Sequence, residues 1–398
     1  MRFIYKDSSI WNKTVLGNLC TPHARIGWQN LRSDEFLGKG DFYLITGTDF
    51  CNGRINFNTC HYISNERYNQ DKKLWVKNND ILITKDGTIG KVAIVKAMDK
   101  KGTLNAGVFI LNDLSKDIDN HYLYHYLSAP FLLKYVSDNS TGGTIKHLNL
   151  SVLINFEISF PNIIEQQKIA DFLSLIDNRI DTQSKIIEDL DTLKNSIMDQ
   201  LLMCDIFDEI SIKDFINQGY ARIIKASEMK KFSGEKLYLS TSSIDKNGIF
   251  KIECKVTYND RPSRASMIPI KNSVWFAKMK DSIKVYKSEN DDESKYILST
   301  GFYGILCNED VVNSDWMVEI FKSNYFNNQK DRFSEGSSMS GIKENQLEDI
   351  KVKLFKNKNL EKKYCQLFYI LNKKLNVETD YLEKLKEQKK YLLLNMFI

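Results

Sequence analysis

Gly87, Gly90 and Lys91 stand in a Gly-x-x-Gly-Lys spacing, a fragment of the loops that cradle phosphates. The full Gly-x4-Gly-Lys-Ser/Thr pattern is absent, because Val92 follows the lysine; a hairpin turn accounts for the glycines. His121 and His125 lie four apart on a segment with helical spacing, a separation that suits two metal ligands. No Glu completes a His-Glu-x-x-His pattern around them, and a helix carrying two imidazoles explains both. Asp245 with Glu253-Cys254-Lys255 has the residue types of a nuclease centre, but such groups are common in a chain that is 27% charged. The seven cysteines are scattered, form no Cys-x-x-Cys and read as small buried hydrophobes rather than a zinc site. No Asn/Asp-Pro-Pro-Tyr segment and no Gly-rich strand-to-helix turn suits a methyl donor. A catalytic centre is not visible; no metal site and no cofactor are expected on this chain.

What the sequence offers instead is two sets of basic and hydroxyl residues on turns. The first set is Thr84, Lys85, Thr88 and Lys91; the second is Lys278, Lys280, Ser282 and Lys284. Two Gly/Ser loops add Ser140, Thr141, Thr144 and Lys146, then Ser334, Ser337, Ser338, Ser340 and Lys343. Backbone N–H groups and short hydroxyls suit phosphate contact, while longer polar side chains read base edges, so double-stranded DNA is the expected ligand.

The elements that position these residues occur twice. From Ile163 to Leu202 there is neither Pro nor Gly, and Pro161 lies just outside as a start signal. A 3-4 spacing from Ile169 runs through Leu173, Ile176, Ile180, Gln183, Ile187, Leu190, Lys194, Ile197 and Leu201, the seam of a coiled coil. Adding 195 to each number gives Tyr364, Phe368, Leu371, Leu375, Glu378, Leu382, Leu385, Lys389, Leu392 and Met396. Both polar interruptions recur, Gln183 as Glu378 and Lys194 as Lys389, which points to duplication. Residues 162–202 carry 4 basic and 8 acidic groups, and residues 358–398 carry 9 and 5, so opposite charge favours pairing of these two helices. About 38 helical residues make a rod of roughly 57 Å, suited to span half-sites about one helical turn of DNA apart.

The repeat continues upstream. Ser140–Phe160 aligns with Ser334–Leu354, each reading as a Gly/Ser loop, a short helical turn and an alternating strand that feeds the long helix. Residues 80–95 and 273–286 read as strand, turn, strand with different chemistry, and Asn105–Leu111 corresponds to Ser299–Cys307. Asp119–Ser137 and Ser314–Phe326 each read as one amphipathic helix. The expected fold class is α+β: two mixed α/β domains in a pseudo-two-fold arrangement, separated by two long antiparallel coiled-coil helices. The expected boundaries are 1–161, 162–202, 203–357 and 358–398.

At 398 residues the chain is long enough for several domains, and 42% hydrophobic content with 5 prolines excludes a disordered or collagen-like polymer. A net charge of +5 is mild, as expected of a protein that touches DNA on limited surfaces. No stretch approaches about 18 uninterrupted apolar residues and the first residues carry no signal-like apolar run, so a cytoplasmic location without membrane contact is expected.

The segment Phe160-Pro-Asn-Ile-Ile-Glu-Gln-Gln-Lys-Ile-Ala-Asp-Phe-Leu-Ser-Leu-Ile-Asp-Asn-Arg-Ile180 resembles the central conserved region of the specificity subunits of type I restriction-modification enzymes. Asp80-Ile-Leu-Ile83, Gly87-Thr-Ile-Gly90, Phe276-Ala-Lys-Met279 and Ser299-Thr-Gly-Phe302 are similar to segments of that family's target recognition domains. The C-terminal copy departs from the pattern, since Lys356–Tyr364 lacks the Pro and the Glu-Gln-Gln. The resemblance implies a subunit that does no chemistry. Each recognition domain would read one half of a bipartite DNA site, while the helices set the gap and dock two methyltransferase subunits. S-adenosylmethionine, ATP and Mg²⁺ would reside on the methyltransferase and restriction subunits. Two alternatives are the recognition subunit of a related multisubunit restriction or methylation system, and a coiled-coil adaptor that binds no DNA.

Overall fold

The structure, a computed structural model, describes residues 11–27, 31–139, 147–245, 248–249, 252–289, 292–334 and 341–397. Packing divides the chain into two compact units, residues 1–183 with 381–398, and residues 184–380. Each unit therefore takes part of both long helices, so the division falls within those helices and not at their ends.

In chain order the first unit holds β1 (Asn12–Val15), β2 (Thr21–His23), β3 (Phe42–Ile45), β4 (Phe50–Cys51), β5 (Arg54–Ile55) and β6 (His61–Ile63). Then come α1 (Asn65–Asn69), β7 (Trp75–Val76), β8 (Ile81–Thr84), β9 (Val92–Ile94), β10 (Lys101–Leu104) and β11 (Val108–Asn112). Helices α2 (Asn120–Ser128), α3 (Pro130–Asn139) and α4 (Leu150–Ile154) lead to β12 (Glu157–Phe160) and the start of α5 (Ile163–Leu202). Its sheets have the orders β6-β3-β10-β7 and β2-β11-β8-β9, with the pairs β1-β12 and β4-β5. β3 and β10 run parallel, and the edge pair places Lys13 opposite Ser159. All four residues of β8, Ile-Leu-Ile-Thr, are buried, as expected of a strand covered on both faces.

The second unit holds β13 (Phe207–Ser211), α6 (Ile212–Asn217), β14 (Ala221–Ile224), β15 (Lys236–Leu239), β16 (Ile244–Asp245) and β17 (Gly248–Ile249). β18 (Cys254–Val256), β19 (Ala265–Met267), β20 (Ser273–Ala277), β21 (Val285–Lys287), α7 (Asp292–Lys295), β22 (Tyr296–Ser299) and β23 (Phe302–Cys307) follow. Last come α8 (Ser314–Lys322), α9 (Asn324–Phe333), α10 (Glu344–Asp349), β24 (Lys351–Phe355) and α11 (Lys358–Asn395). Its sheets, β18-β15-β22-β19 and β14-β23-β20-β21 with the pairs β13-β24 and β16-β17, repeat the first unit's orders strand for strand. The parallel pair recurs as β15 with β22. Gly304 faces Trp275 across β20 and β23, and a Cβ there would run into the indole.

The sixteen apolar seam positions are all buried or half-buried. In the first unit Ile169 and Leu173 share a core with Leu393, Met396 and Phe397, along with Tyr122 and Leu123 of α2. In the second, Met198, Leu201 and Leu202 share a core with Phe368, Trp316 and Phe321. The seam is thus continuous with each body's core, and each fully buried apolar side chain contributes roughly 1.5–3 kcal/mol.

The two single helices expected over Asp119–Ser137 and Ser314–Phe326 are each broken. Ala129 (φ −69, ψ 155) precedes Pro130, whose ring disfavours the helical region for its predecessor. Ser323 (φ −69, ψ 153) reaches the same conformation without proline, and its side chain caps α9 by accepting from the Phe326 N–H. Different residues build one corner.

Candidate nucleic-acid interface and the helix junctions

In the first unit the turn between β8 and β9 is built by one of the predicted contact residues. Thr84 is buried; its hydroxyl donates to the Thr88 carbonyl at 2.5 Å and accepts from the Lys91 N–H at 2.9 Å. Gly87 and Gly90 take left-handed φ values of 71° and 76°, which explains the glycines as turn chemistry. Thr88 and Lys91 are exposed, while Lys85 is half-buried with its ammonium 5.7 Å from the centre of the Phe109 ring. His147 holds the Asp86 carboxylate at 2.7 Å, a contact that spacing alone did not suggest.

In the second unit more of the predicted groups are engaged internally. The Lys278 ammonium lies 4.0 Å from the centre of the Tyr303 ring, and burial lowers its pKa. Lys284 donates to the Thr241 carbonyl at 2.6 Å, and the half-buried Ser282 offers its carbonyl to Lys330 at 2.6 Å. Ser334 is buried and its hydroxyl donates to the Lys330 carbonyl at 3.0 Å. Lys280 and Lys343 are exposed. The hydroxyls of Thr84 and Ser334 are therefore structural: burial and satisfied hydrogen bonds remove them from any ligand. Thr88, Lys91, Lys280 and Lys343 face outward. Ser140, Thr141, Thr144, Lys146, Ser337, Ser338 and Ser340 lie outside the described residues.

His125 is fully buried, with Nε2 3.2 Å from the Ser174 hydroxyl; burial pushes its pKa down to about 3. Glu253 accepts from Ser240 at 2.8 Å and Ser242 at 2.7 Å, and Lys255 pairs with Glu235. Among the described residues no three His, Cys, Asp or Glu side chains are grouped to hold a metal ion. No described helix is long and apolar enough to cross a membrane.

The long helices join each body through buried polar groups. Gln166, from the Glu-Gln-Gln segment, is fully buried; it accepts from the Asp119 N–H at 2.8 Å and donates to the Asp117 and Pro161 carbonyls. Asp119 caps α2. In the second unit Glu361 does the corresponding work, accepting from the N–H of Asn313, the cap of α8, at 3.1 Å. The divergent C-terminal copy thus keeps the anchoring contact with a different side chain.

The two seam lysines are also partnered. Lys389 pairs with Asp177 at 2.5 Å, and Arg54 of β5 reaches both Asp177 at 3.5 Å and Asp181 at 3.2 Å. Burial alone would lower the Lys389 pKa, but the Tyr124 hydroxyl and the Asp177 carboxylate outweigh it and hold the ammonium charged. Lys194 pairs with Glu319 at 2.8 Å and donates to Asn372 at 2.6 Å. In each unit the helices run antiparallel: Ile169 and Leu173 share a core with Met396 and Leu393, and Asp177 meets Lys389. Likewise Leu201 shares a core with Phe368, while Lys194 meets Asn372. Both helices also expose apolar side chains, Ile164, Leu175, Ile186 and Leu193 on α5, and Ile370, Val377 and Tyr391 among those on α11.

Residues 11–192 match the family model described as the type I restriction modification DNA specificity domain. The chain is 31% identical over 144 residues to the type I restriction enzyme MjaVIII specificity subunit of Methanocaldococcus jannaschii, covering 36% of this chain and 32% of that protein. It is 29% identical over 159 residues to the EcoBI specificity subunit of Escherichia coli, covering 40% of this chain and 33% of that one. These alignments span about a third of the relatives' own length. The fold is that of the crystal structure of a type I restriction-modification S subunit from M. genitalium, with a TM-score of 0.56 at 18% identity over 99% of this chain and 98% of that one. Over residues 11–192 the chain is thus similar to the type I restriction-modification DNA specificity domain, and over its length it shares the fold of an S subunit.

Proposed function

We propose that this chain is the DNA-reading subunit of a type I restriction-modification assembly. One observation carries the reading: two bodies with the same sheet orders present different side chains on corresponding turns, and each body packs on the same helix pair. A repeated scaffold with divergent turns is what reading two different half-sites requires. The chain supplies recognition and no reactive group. Adenine N6 methylation, with its S-adenosylmethionine, belongs to two methyltransferase subunits, and ATP- and Mg²⁺-dependent cleavage to restriction subunits.

The helix pair has two roles in this reading. It fixes the separation of the half-sites, and its exposed Leu175 and Leu193 dock the methyltransferases. Co-expression with a type I methyltransferase subunit, followed by genome-wide mapping of N6-methyladenine, tests the whole proposal; a single bipartite motif with a fixed gap is expected. Methylation with no gap, or none at all, sinks it. L175D combined with L193D should abolish methyltransferase co-purification while the melting temperature stays near the parent's, because both side chains are already exposed.

A further inference from the structure

In the first unit a cavity of about 610 Å³ lies between the body and the C-terminal part of α11. Its floor is apolar, formed by Leu127, Leu133 and Leu393 among others, and its rim carries Lys91, Lys386, Lys389 and Lys390. None of its lining residues is Asp or Glu. Nearby carboxylates include Asp177, which holds Lys389 and Arg54, Asp181, which also pairs with Arg54, and the exposed Glu383, 2.8 Å from Lys386. Lys91 and Lys390 are exposed.

The second unit has a cavity at the corresponding place, about 240 Å³, lined by Asp191, Lys194, Asn195 and Lys322 among others. Subtracting 195 from Lys386, Lys389 and Lys390 gives Asp191, Lys194 and Asn195. The scaffold lysine recurs, as Lys389 and Lys194, and each has a carboxylate partner. The flanking pair does not recur: Lys386 and Lys390 have Asp191 and Asn195 in their places. Those two lysines are therefore not demanded by the shared packing.

We infer that Lys386 and Lys390 of the C-terminal helix, together with Lys91, grip the phosphodiester backbone of DNA at the first unit. The inference rests on the DNA-reading proposal and extends it: a helix taken as a spacer and docking surface also contributes phosphate contacts, and only on one side. Lys91 sits on the same turn as the exposed Thr88, so the phosphate grip borders the turn proposed to face the half-site. Contacts of this kind strengthen binding on every sequence and carry no base preference.

Binding of the full chain, with its co-purified methyltransferase, to short duplexes across a range of salt concentrations is the test. For K386Q/K390Q the slope of log K against log salt should become shallower by about two, since each phosphate contact contributes roughly 0.9. Affinity should fall by a similar factor on cognate and scrambled duplexes. An unchanged slope with parental affinity overturns the inference while leaving DNA reading intact. Loss of methyltransferase stoichiometry at an unchanged slope also overturns it, and assigns the groove to an acidic protein segment. Absence of any salt-dependent DNA binding by the parent complex defeats both this inference and the proposal beneath it.

Discussion

The two seam lysines solve one problem in two ways. Each stands on a coiled-coil seam where an unpaired ammonium would be costly. Lys389 is neutralised from the facing helix, by Asp177, and the body joins in through Arg54 and Tyr124. At the position corresponding to Asp177 the second unit has Asn372, and the carboxylate comes from the body instead, as Glu319 of α8. What the duplicated scaffold preserves is a seam cation, buried in Lys194 and half-buried in Lys389, and its charge balance. The source of the balancing charge has drifted, and with it the route by which helix and body are tied together.

The largest expected effect comes from removing the carboxylate that serves two cations. D177A strips Lys389 of its ion-pair partner and takes one of two carboxylates from Arg54, so a loss of about 3–5 kcal/mol in chemical unfolding is expected. E319A should also be severe, but Lys194 keeps the Asn372 side-chain oxygen, and the loss should be smaller. In D177A/K389M no ammonium is left unpaired on the seam, and much of the stability should return. Equal losses for D177A and E319A, with no recovery in the double variant, would mean the two junctions do not differ as described.

A middle-sized effect separates the units by pH. In α2 the buried His125 faces Ser174 of the helix, whereas α8 places Glu319 at the corresponding site. Burial depresses the His125 pKa from 6.5 to about 3, so the unfolded chain takes up a proton that the folded chain refuses. Between those values the unfolded state binds more protons, and stability falls as pH drops. The stabilisation is intact above about 6.5 and lost progressively toward about 3, by an amount on the order of a few kcal/mol. H125N should flatten that acid limb in urea midpoints measured at several pH values. A limb of unchanged steepness would assign the acid sensitivity to other groups.

These contrasts also show which features could be read from residues alone. The seam was legible because a 3-4 periodicity is local, and all sixteen apolar positions are at least half-buried. The duplication was legible because both polar interruptions recur. The separation of each body into two four-stranded sheets was not, since pairings such as β3 with β10 join strands over fifty residues apart. The corner at Ala129 could have been read from Pro130; the one at Ser323 offers only a capping residue. Among the contact candidates, residue type pointed to Thr84 and Ser334, but hydroxyls suit turn-building as well as phosphate contact. Lys386 and Lys390 stand on a coiled-coil rim, where lysines look like ordinary solvated charge. Only the corresponding groove in the other unit sets them apart.

The smallest effect probes that groove directly. Asp191 stands in the second unit where Lys386 stands in the first, and its cavity carries Lys194 and Lys322 as well. If phosphate contact depends on the charge at this position, D191K should steepen the salt dependence of DNA binding by about one unit of slope. D191N, which removes the carboxylate without adding an ammonium, should leave the slope at the parental value. A steeper slope for D191K alone ties the effect to a new cation at that place. The same steepening in D191N would trace it to lost repulsion, and the two grooves would then differ in what they exclude rather than in what they hold.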